Sequence, residues 1–295
     1  MIFNVTGGGG GTGCTLTITA PVGATVTVSK DGKAKPSKVT TTGTVVFKGL
    51  ETGTWTITIT NGTDTATKTV EIRADYETEI SFFTATLQIV YPAGLVCTAT
   101  NGSTTLNAPD TGGTWDCVVT EAGQWTVKLS TGFAEKVVVG ASGESHTVNK
   151  WYVYKDGDQR TELTGGWTAV KKQKPTVEFK EDRFAVSTGT IENQPAGMAT
   201  TVNALNLKGF KTLCAAANML TSLNSTVSIL ELGISKDKRT GASLKGGTVY
   251  KQEKGKGEHS MSVDISGVGE DLAAQYPYFN IYCCKGELYK MWLEV

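Results

Sequence analysis

A chain of 295 residues carrying 28 basic and 28 acidic side chains has room for two or three separate cores and no formal net charge. Residues 1–150 hold 10 basic and 12 acidic groups, so neither half is polarised and the basic stripe of a nucleic-acid binder is missing. No run of about 18 apolar residues occurs, which excludes a membrane-spanning helix.

The first residues, MIFNVTGGGGGTG, contain no basic segment followed by an apolar stretch of signal-peptide length. The expectation is therefore a chain made in the cytoplasm that reaches any external site by lysis or within a particle. Gly7–Gly11 precede a strand rather than a helix, so they are no phosphate cradle. Two readings stand for the N-terminus: a flexible linker, or a peptide threaded into a multimeric particle with Ile2, Phe3 and Val5 as its apolar anchor.

Residues 14–149 contain an internal repeat. Leu16-Thr-Ile-Thr-Ala-Pro21 returns as Leu87-Gln-Ile-Val-Tyr-Pro92, and Gly53-Thr-Trp55-Thr-Ile57 returns as Gly123-Gln-Trp125-Thr-Val127. Within each copy apolar side chains alternate with threonines, the period of a strand with one buried face. Asp31-Gly32 and Asn61-Gly62 supply tight turns between strands at 25–28, 45–47, 55–59 and 65–72. The expectation is two small antiparallel sandwiches, at 14–83 and 84–149, after an N-terminal segment 1–13. Cys97 aligns with Val26 and Cys117 with Phe47, both inward positions. They read as two buried thiols or as a disulfide formed after release into oxidising surroundings.

After residue 150 the alternation continues without the repeat. Strands are predicted at 151–154, 176–179, 183–187, 212–217, 228–235, 248–252, 260–265, 278–283 and 289–295, a larger sandwich of jelly-roll type over 150–295. Residues 205–223 also read as one helix. Lys171, Lys172 and Lys174 read as a solvated loop, and Asp156-Gly157-Asp158 as a turn rather than a calcium loop.

The run LTITAPVGATVTVSKDGK…VVFKGLETGTWTITITNGTDTATKTVEI resembles PEGA or carboxypeptidase-regulatory-like, Ig-like repeats. With the Gly-rich start and WYVYKDGDQRTELTGGW, the chain is similar to structural proteins of tailed phages and prophages. HSMSVDISG and YPYFNIYCC resemble the closing strands of carbohydrate-binding modules. Related sandwiches sometimes carry a Lys–Asn isopeptide bond; the first strand of each repeat lacks the lysine. The resemblance implies a virion surface protein, made without a signal peptide, present in many copies or as a homo-oligomer. Its implied partners are other virion proteins and a host-surface glycan, with no nucleic acid and no membrane insertion. The alternative is a capsid decoration or tail-assembly protein with no ligand of its own.

The last hairpin is the candidate binding site. A three-residue loop Lys285-Gly286-Glu287 would set Phe279, Ile281, Cys283, Tyr289, Met291 and Leu293 on one face. Tyr278, Asn280, Tyr282, Lys290, Trp292 and Glu294 would share the other. Aromatic faces with amides and carboxylates suit a glycan, and equally a face packed under a loop or a neighbouring subunit. No GxSxG, P-loop, strand-to-helix GxGxxG, CxxC or HExxH occurs, so no enzyme, cofactor or metal is expected. A glycosidase's two carboxylates would leave no spacing to read.

Overall fold

The computed structural model describes residues 13–62, 64–172, 176–187, 196–222 and 227–295. They are all-β, with a four-residue helix α1 (Thr161–Thr164) and a 3-10 segment (Ser266–Ala273) among the described residues. The predicted anchor residues Ile2, Phe3 and Val5 lie outside them. The chain divides into two compact units. One takes in the described residues up to Ala85 with Val119–Glu121 and Ala141–Gly143; the other comprises Thr86–Val118, Ala122–Gly140 and Glu144–Val295.

The first unit contains β1 (Cys14–Thr19), β2 (Thr25–Lys30), β3 (Lys33–Ala34), β4 (Lys38–Val39), β5 (Thr44–Leu50), β6 (Gly53–Asn61), β7 (Asp64–Ile72) and β8 (Tyr76–Glu79). One sheet has the order β5-β1-β8, the other β3-β2-β6-β7 with β4 also on β2. Leu16, Ile18 and Phe47 from one sheet and Val26, Trp55, Ile57 and Ile59 from the other fill a single core. The threonines between them face outward, as the period-2 pattern requires. Asp31 and Gly32 both have positive φ, 52° and 76°, the conformation of a two-residue hairpin turn.

Apart from the end residues Ala85 and Val119, the second unit opens with β9 (Ala85–Tyr91), β10 (Cys97–Thr100), β11 (Thr105–Asn107), β12 (Gly113–Val119), β13 (Gly123–Leu129), β14 (Ala134–Val139) and β15 (Ser145–Val148). Their sheets, β12-β9-β15 and β11-β10-β13-β14, reproduce the strand order of the first copy. Register repeats too: Leu16 pairs with Tyr76 in parallel and Leu87 with His146, while Val26 pairs with Ile59 and Cys97 with Leu129. The sequence repeat is thus a repeat of topology.

The same unit continues through β16 (Trp151–Lys155), β17 (Trp167–Lys172), β18 (Thr176–Phe179), β19 (Phe184–Ser187), β20 (Ala196–Thr201), β21 (Thr212–Ser222), β22 (Ile229–Ser235), β23 (Val249–Glu253), β24 (Gly257–Asp264), β25 (Tyr276–Tyr282) and β26 (Cys284–Glu294). One sheet runs β18-β19-β26-β21-β24, with β16 also pairing β26; the other runs β17-β20-β25-β22-β23. The sheets stack closely. A methyl group on Gly197 of β20 would come within 2.7 Å of the Val186 side chain in β19.

Three expectations are corrected. Within the predicted 205–223, the described residues form no helix: β21 pairs with β24 on one side and β26 on the other, and its apolar run is that of a strand buried in a sheet. Lys171 and Lys172 are exposed, but at the end of β17 rather than in a loop; Lys174 is outside the described residues.

The third correction concerns the terminal hairpin. β25 and β26 belong to different sheets, β25 between β20 and β22, β26 beside β21. The chain crosses between them at Cys283, whose φ of 52° turns the backbone sharply. Gly286 and Glu287 are strand residues paired with β19, not a loop. Phe279, Ile281, Cys283, Met291 and Leu293 are buried and Tyr289 is half-buried, but Tyr278, Asn280 and Trp292 of the predicted outer face are buried too. With a strand on each side and both faces covered, β25 has no outer face, and the two sets of residues line two sheets instead of two faces of one hairpin.

The second repeat is joined to the C-terminal sandwich by buried contacts. Trp151 is fully buried and its Nε1 donates to the Val90 carbonyl at 2.9 Å. Phe133 meets Phe210 edge-on at 5.3 Å. Gly209, at φ 80°, sits so close to Pro92 that a Cβ would come within 2.5 Å of the proline ring.

Candidate functional site

The sheets divide the six predicted site residues into two groups. Tyr278, Asn280 and Tyr282 lie on β25, and Lys290, Trp292 and Glu294 on β26, so they form no common face.

Tyr278 and Asn280 are fully buried. Glu231, across from Asn280 on β22, is buried with them. Its Oε1 accepts from the Tyr278 hydroxyl at 3.1 Å and lies 3.5 Å from Nη1 of Arg239. Its Oε2 accepts from the Lys245 amide at 2.9 Å and from Gln252 Nε2 at 2.6 Å. Arg239 stacks over the Tyr278 ring at 4.5 Å, and its Nη2 donates to the Ser243 carbonyl, which also accepts from Asn280 Nδ2 at 3.3 Å. Ala242 packs beside Tyr278 in the same cluster. Burial, then the neighbouring Glu231 carboxylate, raises the Tyr278 hydroxyl well above its ordinary pKa. This half of the predicted face is therefore closed by the segment between β22 and β23. Tyr282, at its end, is half-buried.

The other half is partly exposed, with Lys290 and Glu294 half-buried. Trp292 faces Tyr152 of β16 across an antiparallel pair, ring centroids 6.2 Å apart. Lys150 Nζ lies 4.5 Å over the Trp292 ring and Lys155 Nζ 4.6 Å over the Tyr152 ring. The result is a ladder of cation, ring, ring and cation. Trp292 Nε1 donates to Glu294 at 2.7 Å, and Lys290 pairs with Asp156 at 3.4 Å. With its indole covered by Lys150, Trp292 is only 8% exposed, so Tyr152 presents the more open ring of the pair.

A bulge builds this ladder. Tyr152 and Lys155 would point to opposite faces of a regular strand, but the register slips between Tyr152 and Tyr154. Val153 and Tyr154 both turn inward, Tyr154 packing edge-on against Trp167 at 5.6 Å, and Lys155 returns to the side of Tyr152.

Beside Tyr152 is a cleft of about 320 Å³ lined by Lys136, Thr147, Asn149, Lys150 and Lys155, with Glu135 at its base. Glu135 is nearly buried. Arg160 Nη2 donates to its two oxygens at 3.0 and 2.9 Å, and the Tyr152 amide donates to Oε1 at 2.9 Å. Burial raises the Glu135 carboxyl above its ordinary pKa, with the Tyr152 amide and Arg160 opposing. Sequence reading grouped Trp151–Tyr154 as a strand but gave no signal that it would lie against Trp292.

Cys97 and Cys117 are buried and unpaired; burial pushes their thiols up to about 12 and about 11. Among the described residues no cluster of three His, Cys, Asp or Glu is placed to hold a metal ion, and no helix is long and apolar enough to cross a membrane.

No protein family matches the sequence, and no curated protein is significantly similar to it. Among solved structures the chain is similar to a carbohydrate-binding module of the β-sandwich superfamily, at 10% identity and TM-score 0.33 over 81% of this chain and 92% of that one. It is similar also to the enzymatically active domain of tailspike protein 4 of bacteriophage CBA120, at 11% identity and TM-score 0.31 over 52% of this chain and 22% of that one. A third is a carbohydrate-binding protein assigned in Bacteroides uniformis, at 12% identity and TM-score 0.16 over 72% and 98%. At TM-scores this low, none of the three fixes a shared fold or activity.

Proposed function

We propose that the chain is a non-enzymatic display protein of a tailed-phage particle, its PEGA-like repeats acting as spacers for a C-terminal sandwich that contacts a glycan on the host surface. The observation that carries the glycan contact is the Lys155–Tyr152–Trp292–Lys150 ladder beside an open cleft. A half-exposed aromatic ring flanked by ammonium, amide and hydroxyl groups offers a sugar an apolar face and hydrogen-bonding neighbours together. The particle assignment rests on the resemblance carried by the Gly-rich start, the two repeats and the C-terminal sandwich. Many copies would turn a weak single contact into firm adhesion.

The test is antibody against residues 151–295 on intact particles, with retention of the full chain on host envelopes. Label at tail or fibres and envelope retention lost in Tyr152→Ala are expected. Particles that contain no such chain by mass spectrometry would overturn the particle assignment. Unchanged retention in Tyr152→Ala would overturn the site.

A second reading, capsid decoration or tail assembly without a ligand, is favoured by Val96, Val118 and Val138 of the second repeat. They are 57%, 55% and 67% exposed, apolar side chains that a neighbouring subunit would cover. Label over the head, and a stable oligomer broken by Val118→Lys, would support it.

A further inference from the structure

We infer that the cleft beside Tyr152 takes an acidic sugar, a saccharide bearing carboxylate or phosphate groups; this rests on the glycan contact proposed above and narrows it. The argument is one of uncompensated charge. Three ammonium groups, those of Lys136, Lys150 and Lys155, line the cleft. None has a carboxylate within ion-pair distance among the described residues, whereas neighbouring Lys290 is paired with Asp156 at 3.4 Å. The single carboxylate at the cleft, Glu135, already receives Arg160 on both oxygens and the Tyr152 amide on one. Its hydrogen bonds and its ion pair go to Arg160 and the Tyr152 amide, and of the three lysines Lys155 alone feels its charge, without an ion-pair contact.

The whole chain has equal numbers of acidic and basic groups, so this local excess is not the overflow of a basic protein. Two of the three lysines are also held in place. Lys155 lies over Tyr152 and Lys150 over Trp292. A lysine already resting on a ring loses less freedom when it captures an anion. Asn149 and Thr147 supply neutral polar groups on the same wall, and Tyr152 supplies the ring face. A cleft of about 320 Å³ is at the small end of ligand sites, room for a sugar or two of a longer polymer.

The experiment measures binding of the full chain to three immobilised polymers, polygalacturonate, poly(glycerol phosphate) and dextran, with single-stranded DNA as a fourth polyanion, at low and high salt. Binding to one or both acidic saccharides, weakened by salt, with dextran and DNA at least about tenfold weaker, is the expected result. Preference for polygalacturonate or for poly(glycerol phosphate) tells carboxylate from phosphate as the recognised group. Lys136→Ala with Lys155→Ala should weaken that binding about tenfold or more, while Lys33→Ala with Lys35→Ala, in the first unit, should not. An unchanged melting temperature checks that the first pair folds. Equal loss in both pairs, or DNA bound as well as the saccharides, would reduce the effect to general charge attraction and overturn the inference. Dextran bound as tightly, with Lys136→Ala and Lys155→Ala indifferent, would overturn the acidic class and leave a glycan contact standing. Retention of no polymer would also overturn it, and the glycan contact itself falls only if host envelopes fail to retain the protein as well.

Discussion

Tyr152 stands directly opposite Trp292 in the β16–β26 pair, their rings 6.2 Å apart and inclined at 52°. One comes from the first strand after the repeats and the other from the last strand of the chain. Their meeting adds β16 to the sheet at β26 and sets the ring pair beside the cleft, with Lys150 over one ring and Lys155 over the other.

The pair is expected to be coupled. Trp292→Ala should destabilise the second unit by about 3 kcal/mol through lost packing. In a double-mutant cycle with Tyr152→Ala the coupling should be about 0.5–1.5 kcal/mol. Urea unfolding of the four proteins measures it, and strict additivity would mean that the rings are neighbours without interacting.

The Glu135–Arg160 ion pair fastens β14 to the segment after β16. Arg160→Ala leaves a carboxylate buried without its counter-charge, a loss of about 3–5 kcal/mol near neutral pH. The sign of the pH dependence follows from the raised Glu135 carboxyl. A carboxyl raised by folding contributes stability that is fully present below its unfolded pKa and is lost as pH rises through its folded one. The penalty of Arg160→Ala should therefore shrink as the solution is made acidic, because the carboxyl, raised above its ordinary value, takes up its proton early in the descent. A penalty that stays constant with pH would show that the arginine acts by packing alone.

Most of the fold was legible in the sequence because a strand with one buried face advertises its period. The repeat, its turns and its core positions follow from local alternation, and nine of the later strands stood out in the same way. Two did not. Trp167–Lys172 buries only Trp167, and Ala196–Thr201 is buried throughout but is built of small residues without a run of large apolar ones. The site was less legible than the fold. Which strand lies beside which is decided by the crossover at Cys283 and the slip in β16, and neither leaves a periodic trace. Arg239 and Glu231 are ordinary charged residues until the segment between β22 and β23 folds over Tyr278.

The cysteines should divide sharply by reactivity. Cys14 is the half-buried one; Cys97, Cys117, Cys214, Cys283 and Cys284 are buried. Thiolate is the reactive form, and Cys97 and Cys117 are pushed up to about 12 and about 11, so both stay protonated near pH 8. The native protein should yield one fast thiol to Ellman's reagent, and all six cysteines should react in denaturant. Because both groups are raised, their contribution to stability is fully present below the usual value of 9.0 and is lost as pH climbs through 11 to 12. Fast native labelling of Cys97 would contradict its burial.

The charged network under the segment between β22 and β23 gives the strongest mutational contrast. Glu231 is fully buried and Arg239 nearly so, and they lie 3.5 Å apart with Tyr278 between them and the core. Glu231→Gln would leave the guanidinium buried without its counter-charge, and Arg239→Ala would do the same to the carboxylate. Each should destabilise by about 3–5 kcal/mol. Replacing both together, Glu231→Leu with Arg239→Met, removes two desolvated charges at once and should restore most of the loss. Limited proteolysis separates this from a general weakening. In either single variant the first cuts should fall within 236–248, because Arg239 and Ser243 hold that segment down. A double variant no more stable than the singles, cut elsewhere, would mean that shape and not charge closes the face over Tyr278.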